Sequence, residues 1–91
     1  MAHLANKAMP YFVYILRCAD DTLYTGITTD VKRRFEEHRT GVGAKYTRAH
    51  GVVEVVYKKR TTTRSLAQKK EAAIKKMSRI KKLAMIREYG G

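Results

Sequence analysis

The stretch Leu23–His38 reads LYTGITTDVKRRFEEH, a Tyr-Thr-Gly step followed by basic residues and a histidine. Arg34 and His38 lie four positions apart, so a helix through them presents both side chains to the same space. A guanidinium placed there can hold two phosphate oxygens in a fork. Positive donors beside a phosphorus centre lower the barrier to phosphodiester cleavage. Gly26 lets backbone pass close to a ligand with no Cβ in the way. Tyr14 stands ten positions before Tyr24, and on opposed strands of a hairpin the two hydroxyls could come together. Each residue also has a plainer reading. The tyrosines serve equally well as sheet core, and His38 as a surface helix residue. A free tyrosine has a pKa of about 10, so it needs nearby positive charge to act as a base at neutral pH.

Positive charge is plentiful. The chain has 91 residues, with 20 Lys and Arg against 8 Asp and Glu, a formal net charge of +12. Self-repulsion of that size in one small domain calls for a polyanionic partner: DNA, RNA or an anionic membrane. Residues 58–91 hold twelve of the basic side chains and only Glu71 and Glu88 as acids. A solvated helix face accounts for many of these lysines, while the total charge favours a surface that tracks phosphates. Arg33, and Lys45 and Arg48 in a glycine-bearing loop, are candidate nucleic-acid contacts. Glu71 reads either as a surface partner of Lys75, four residues on, or as a ligand for a hard cation. No apolar run approaches the roughly 20 residues of a membrane span. The first ten residues, MAHLANKAMP, lack the long apolar run of a signal peptide. Cys18 is the single cysteine, which excludes an internal disulfide and a cysteine zinc site; a reduced, cytoplasmic setting is expected.

The elements that position these residues follow from composition and punctuation. Residues 1–10 read as a loose leader and 11–89 as a single domain. Tyr11 to Cys18, YFVYILRC, is β-branched and aromatic and reads as a strand. Asp20-Asp21 turns it into a second strand, Leu23 to Thr28. Asp30 caps a helix from Val31 to about Thr40, which Gly41 ends. GVGAKYTRAHG reads as a loop. Val52 to Arg60 is a third strand, apolar on both faces at first, which predicts a central or well-covered position. A helix capped by Thr63 or Ser65 runs to about Met77, with Leu66, Ala67, Ala73, Ile74 and Met77 on one face. Ser78 separates it from a last helix ending near Tyr89. The order β-β-α-β-α-α predicts an α+β domain with a small, mostly antiparallel three-stranded sheet flanked by helices.

Val13-Tyr14-Ile15, followed ten residues on by Tyr24-Thr25-Gly26, resembles the paired half-motifs of the GIY-YIG nuclease family. Arg34 stands where that family has its helix arginine, His38 where members carry His or Tyr, and Glu71 where a later helix carries the metal-binding glutamate. The similarity covers about residues 11–83, and GITTDVKRR, GAKYTR and IKKMSR resemble its short single-domain branch. The first half-motif's glycine is Phe12 here, and the second's isoleucine is Thr25. The resemblance implies a small antiparallel sheet with helices and a site of Tyr14, Tyr24, Arg34, His38 and Glu71. It further implies that Tyr14, or a water beside it, delivers the nucleophile, with Tyr24 orienting. One weakly held Mg²⁺ or Mn²⁺ is expected on Glu71, completed by waters and phosphate.

The function expected is a metal-dependent DNA endonuclease, or a nuclease subunit, acting on branched or damaged duplex in repair or recombination. The alternatives are a non-catalytic nucleic-acid-binding module that keeps the fold, and a basic RNA-associated protein. Specificity in so short a domain would come from DNA shape or from a protein partner. The charge yields a first prediction. Affinity for a short DNA duplex, measured by fluorescence anisotropy, falls steeply between low and physiological salt, because each neutralised phosphate releases counterion. An affinity that hardly moves with salt would contradict the polyanion reading.

Overall fold

Four consecutive side chains, Val13 to Leu16, are buried in strand β1 (Tyr11–Cys18). A strand buried on both faces must be paired and covered on both sides. β1 is accordingly the middle strand of an antiparallel three-stranded sheet ordered β2-β1-β3. This computed structural model describes residues 9–90, so positions 1–8 of the expected leader lie outside the described residues.

β2 (Leu23–Thr28) follows a tight turn in which Asp21 adopts a φ of 68° and Asp20 accepts from the Thr22 hydroxyl and N–H. Its register sets Tyr14 opposite Gly26 and Leu16 opposite Tyr24. Opposed residues share a face, so both tyrosines point to the same side of the sheet. α1 (Val31–Arg39) begins where the Asp30 carboxylate accepts the Arg33 N–H at 3.0 Å. α2 (Lys45–His50) lies inside the segment expected to be a loop. Six residues between glycines carry no apolar periodicity to read, and Ala44 makes no side-chain cap; the buried Thr47 anchors the helix instead.

β3 (Val52–Thr61) pairs with the other side of β1, setting Tyr57 opposite Ile15 and Lys58 opposite Tyr14. The central position expected for it belongs to β1. β3 is an edge strand, and Val53, Glu54 and Lys58 to Arg60 are exposed. Charged side chains are a usual protection of such an edge.

α3 (Arg64–Lys75) is capped by Thr63, whose hydroxyl accepts the Leu66 N–H at 3.1 Å. α4 (Arg79–Gly90) follows it. Val13, Ile15, Tyr57, Ala67 and Ile74 form the core on one sheet face, with Met77, Met85 and Ile86 packed against it. The α3 face is narrower than expected, since Leu66 is 48% exposed and Ala73 is exposed too. The stripe that faces inward runs Ala67, Glu71, Ile74, at the i, i+4, i+7 spacing of one helix side. Glu71 therefore lies along that stripe, partly buried.

On the other face, Tyr14 spans the gap over Gly26. A Cβ built on Gly26 would lie 2.5 Å from the Tyr14 hydroxyl oxygen and 2.7 Å from Cζ. The glycine expected to make room for a ligand thus makes room for Tyr14 itself. Gly26→Ala should cost about 1–3 kcal/mol, the usual range for overpacking a core. Adding Tyr14→Phe should return part of that loss by deleting the nearest clashing atom. Urea unfolding of the four combinations reads this coupling. Fully additive losses would show that the two residues do not constrain each other.

Candidate active site

A line of buried polar groups starts at Tyr14. Its hydroxyl lies 2.9 Å from His38 Nε2. His38 is 1% exposed, and its Nδ1 lies 2.6 Å from the Thr47 hydroxyl oxygen. Thr47 in turn donates to the Ala44 carbonyl at 2.9 Å. A hydroxyl has one proton to give. With that proton on Ala44, Thr47 must accept from Nδ1–H, which leaves Nε2 bare to accept the Tyr14 O–H. The Ala44 N–H, 3.4 Å from Nδ1, is too distant to compete with the 2.6 Å bond. The tautomer is assigned from this network. Gly43 closes over the imidazole, and a Cβ there would collide with Nδ1.

Burial depresses the His38 pKa, and the Arg34 charge adds to the effect against an opposing pull from Glu37. The ring is therefore neutral at neutral pH and able to take a proton. The Tyr14 pKa is pushed up to about 12, first by burial and then by Tyr24, with Glu71 acting in the same direction. Arg34 opposes the rise through its hydrogen bonding and charge, so its guanidinium stands beside the phenol.

Arg34 is not idle. It bonds Glu37 Oε1 at 2.8 Å, and Arg33 reaches the other oxygen of the same carboxylate at 4.0 Å. The fork expected to await phosphate is thus partly held by Glu37. Both arginines keep free donors, since a guanidinium carries five N–H groups. Arg33 is more than half exposed. Glu71 is 22% exposed, pairs with Lys75 at 3.2 Å, and stands close enough to disfavour a Tyr14 phenolate. The pair with Lys75 is the contact Glu71 makes; toward the phenol it contributes charge alone. Among the described residues no group of three His, Cys, Asp or Glu side chains gathers into a metal site. Lys45 and Arg48 are exposed on α2, and the Arg48 stem lies over Gly41.

Tyr24 stands with its ring centroid 5.1 Å from that of His38 and 6.4 Å from that of Tyr14. Tyr46 stacks behind it at 5.8 Å, and His50 stacks on Tyr46 at 4.2 Å. His50 also pairs with Asp20, which ties α2 to the β1–β2 turn. Thr47, Tyr46, His50 and Glu37 are not singled out in the sequence reading. The available signal was the four-residue spacing of Tyr46 and His50, the same interval that marks Arg34 and His38.

The sequence matches the GIY-YIG catalytic domain over residues 10–84. A UPF0213 protein of Natronomonas pharaonis is 48% identical over 84 residues, 92% of this chain and 99% of that one. A UPF0213 protein of Streptococcus agalactiae is 46% identical over 81 residues, 89% and 92% of the two chains. The solution NMR structure of a UPF0213 protein from Bacillus halodurans has a TM-score of 0.60 at 42% identity, covering 91% of this chain and 88% of that one. A solution NMR structure from E. faecalis gives a TM-score of 0.58 at 36% identity, covering 90% and 88%.

The two perturbed groups predict how stability varies with pH. The folded His38 resists a proton that the unfolded chain accepts at about pH 6.5. Stability therefore falls as pH drops below that value, and the loss is complete once pH passes the depressed folded value. The unfolded Tyr14 releases its proton at about pH 10, whereas the folded one holds it to about 12. Stability falls again across that interval. In urea unfolding, His38→Gln should flatten the acid limb relative to wild type, and Tyr14→Phe the alkaline limb. Limbs that are unchanged by the substitutions would contradict the assignments.

Proposed function

The chain belongs to the GIY-YIG family, and from that premise we propose that it is a DNA endonuclease working at the cleft of Tyr14, His38 and Arg34. The observation that carries the reading is the 2.9 Å approach of the Tyr14 hydroxyl to His38 Nε2, taken with the tautomer assigned from the network. A phenol whose pKa stands near 12 is a poor base at neutral pH by itself. A phenol that passes its proton to a neutral imidazole while taking one from water never has to exist as a free phenolate. Water gives its proton to the Tyr14 oxygen, the proton already on Tyr14 moves to Nε2, and the hydroxide attacks phosphorus. The bond from phosphorus to the leaving sugar oxygen breaks, and that oxygen takes a proton from solvent. Thr47 keeps the imidazole in the accepting tautomer, and Glu37 lies close enough to offset the imidazolium. Arg34 holds the phosphate with donors that Glu37 leaves free. Tyr24 walls the other side of the imidazole and orients it.

Glu71 fits the cation expected of the family. A lone half-buried carboxylate whose charge is felt at the phenol suits Mg²⁺ or Mn²⁺, which keeps several waters and leans on substrate phosphates. Such an ion, when bound, supplies charge against that developing on the phosphate and leaving oxygen. Arg33, Lys45 and Arg48, all exposed, are proposed to carry flanking phosphates. Among the described residues no helix is long and apolar enough to cross a membrane. The setting we propose is cytoplasmic, with branched or damaged duplex as substrate in repair or recombination and a protein partner adding specificity.

The test is incubation with duplex, flapped, branched and single-stranded DNA plus Mg²⁺ or Mn²⁺. Nicking is expected. Tyr14→Phe should lower its rate by about a hundredfold or more, the usual contribution of a positioned acid–base group. Glu71→Gln should abolish metal-dependent cleavage and leave DNA binding equal or slightly tighter, since one negative charge beside phosphate is lost. Equal nicking by Glu71→Gln and wild type would remove Glu71 from the reaction. Salt-sensitive binding with no nicking of any substrate would leave a nucleic-acid-binding module.

A further inference from the structure

α1 divides its sheet face into two. One side carries Arg34 and His38 toward Tyr14. The other carries Val31 and Phe35 over β3, where a groove of about 440 Å³ is lined by Val31, Lys32, Phe35, Val55, Lys58 and Tyr89. This volume is within the range that ligand sites occupy. We propose that the groove takes one unpaired nucleotide of the DNA strand being cut, which makes branched duplex with an unpaired strand, such as a flap or overhang, the preferred substrate class. The proposal rests on the nuclease reading for its strand but not for its binding chemistry.

Three features point to that occupant. The groove has an apolar floor, Val31 and Val55, and two aromatic rings, Phe35 and Tyr89, which suit the flat face of a base. Lys32 and Lys58 enter none of the ion pairs among the described residues, and no carboxylate lines the groove. An apolar slot with two unpaired ammonium groups favours an occupant that is flat and anionic. A base inside a duplex is stacked and paired and cannot enter; an unpaired one can.

The position is consistent with a strand running from the cleft. Lys58 on β3 is paired opposite Tyr14 on β1, on the same sheet face. A helix with side chains is about 10–12 Å across, and a DNA strand advances about 3.4 Å per nucleotide. The groove therefore lies about three nucleotides from the phosphate at Tyr14. Arg33 is exposed on the helix between them, placed to meet the intervening backbone.

The experiment compares a fluorescent 16-base-pair duplex, blunt or with a five-nucleotide overhang, in EDTA so that no cleavage occurs. A second probe carries 2-aminopurine at each overhang position in turn. Wild type should bind the overhang duplex about tenfold more tightly than the blunt one, in line with stacking of one base. It should quench 2-aminopurine most strongly at one position. Tyr89→Leu, which keeps apolar bulk and removes the ring, should lose the preference and the quenching while blunt-duplex affinity holds. Lys32→Ser serves as a second variant with an exposed, unpaired side chain and should reduce the preference in part. Equal affinity for both duplexes, or quenching unchanged in Tyr89→Leu, would overturn the pocket. Nicking in Mg²⁺, assayed separately, distinguishes the failures: cleavage without the preference sinks the pocket alone, and the preference without cleavage sinks the catalytic reading alone.

Discussion

The buried hydrogen bond from Tyr14 to His38 constrains the rest of the structure. A buried phenol and a buried imidazole are each costly without a partner. Together they fix the distance between the central strand and α1. The phenol needs a gap in the neighbouring strand, which Gly26 provides at the opposed register position. The imidazole needs a partner on its far side, which Thr47 provides from a helix of only six residues. Gly43 and the Tyr24–Tyr46–His50 stack then enclose the pair.

The same bond resolves a chemical difficulty. Burial pushes the phenol away from ionisation and the imidazole away from protonation. Both shifts favour the neutral pair at rest, so under the proposed mechanism the proton moves only as water supplies another to the phenol. Arg34 is the balancing element. It pulls the phenol toward ionisation, yet its positive charge also discourages an imidazolium. Glu37, bonded to Arg34, tempers that charge.

Much of this arrangement was legible in the residues. YFVYILRC could form little other than a strand, and the Asp20-Asp21 turn made a hairpin; that Tyr14 and Tyr24 share a face came only with the register. The spacing of Arg34 and His38 was readable because helix geometry is local. What escaped was tertiary. The apolar run of β3 looks alike in a central strand and in an edge strand covered by helices. The α2 segment is too short for periodicity, so Thr47 and Tyr46 looked like loop residues. Glu37 looked like one of several charges on a solvated helix. Gly26 was recognised as a close approach, but the identity of the approaching group, Tyr14, depended on strand register.

The central claim is that His38 Nε2 is bare and accepts the Tyr14 proton, and ¹⁵N NMR of the imidazole tests it most directly. The account predicts that the His38 ring at neutral pH carries its hydrogen on Nδ1, with Nε2 showing the shift of a hydrogen-bonded, unprotonated nitrogen. That shift should move when Tyr14 is replaced by Phe. A hydrogen found on Nε2 would contradict the account, because Tyr14 would then be the acceptor and the imidazole could not take its proton.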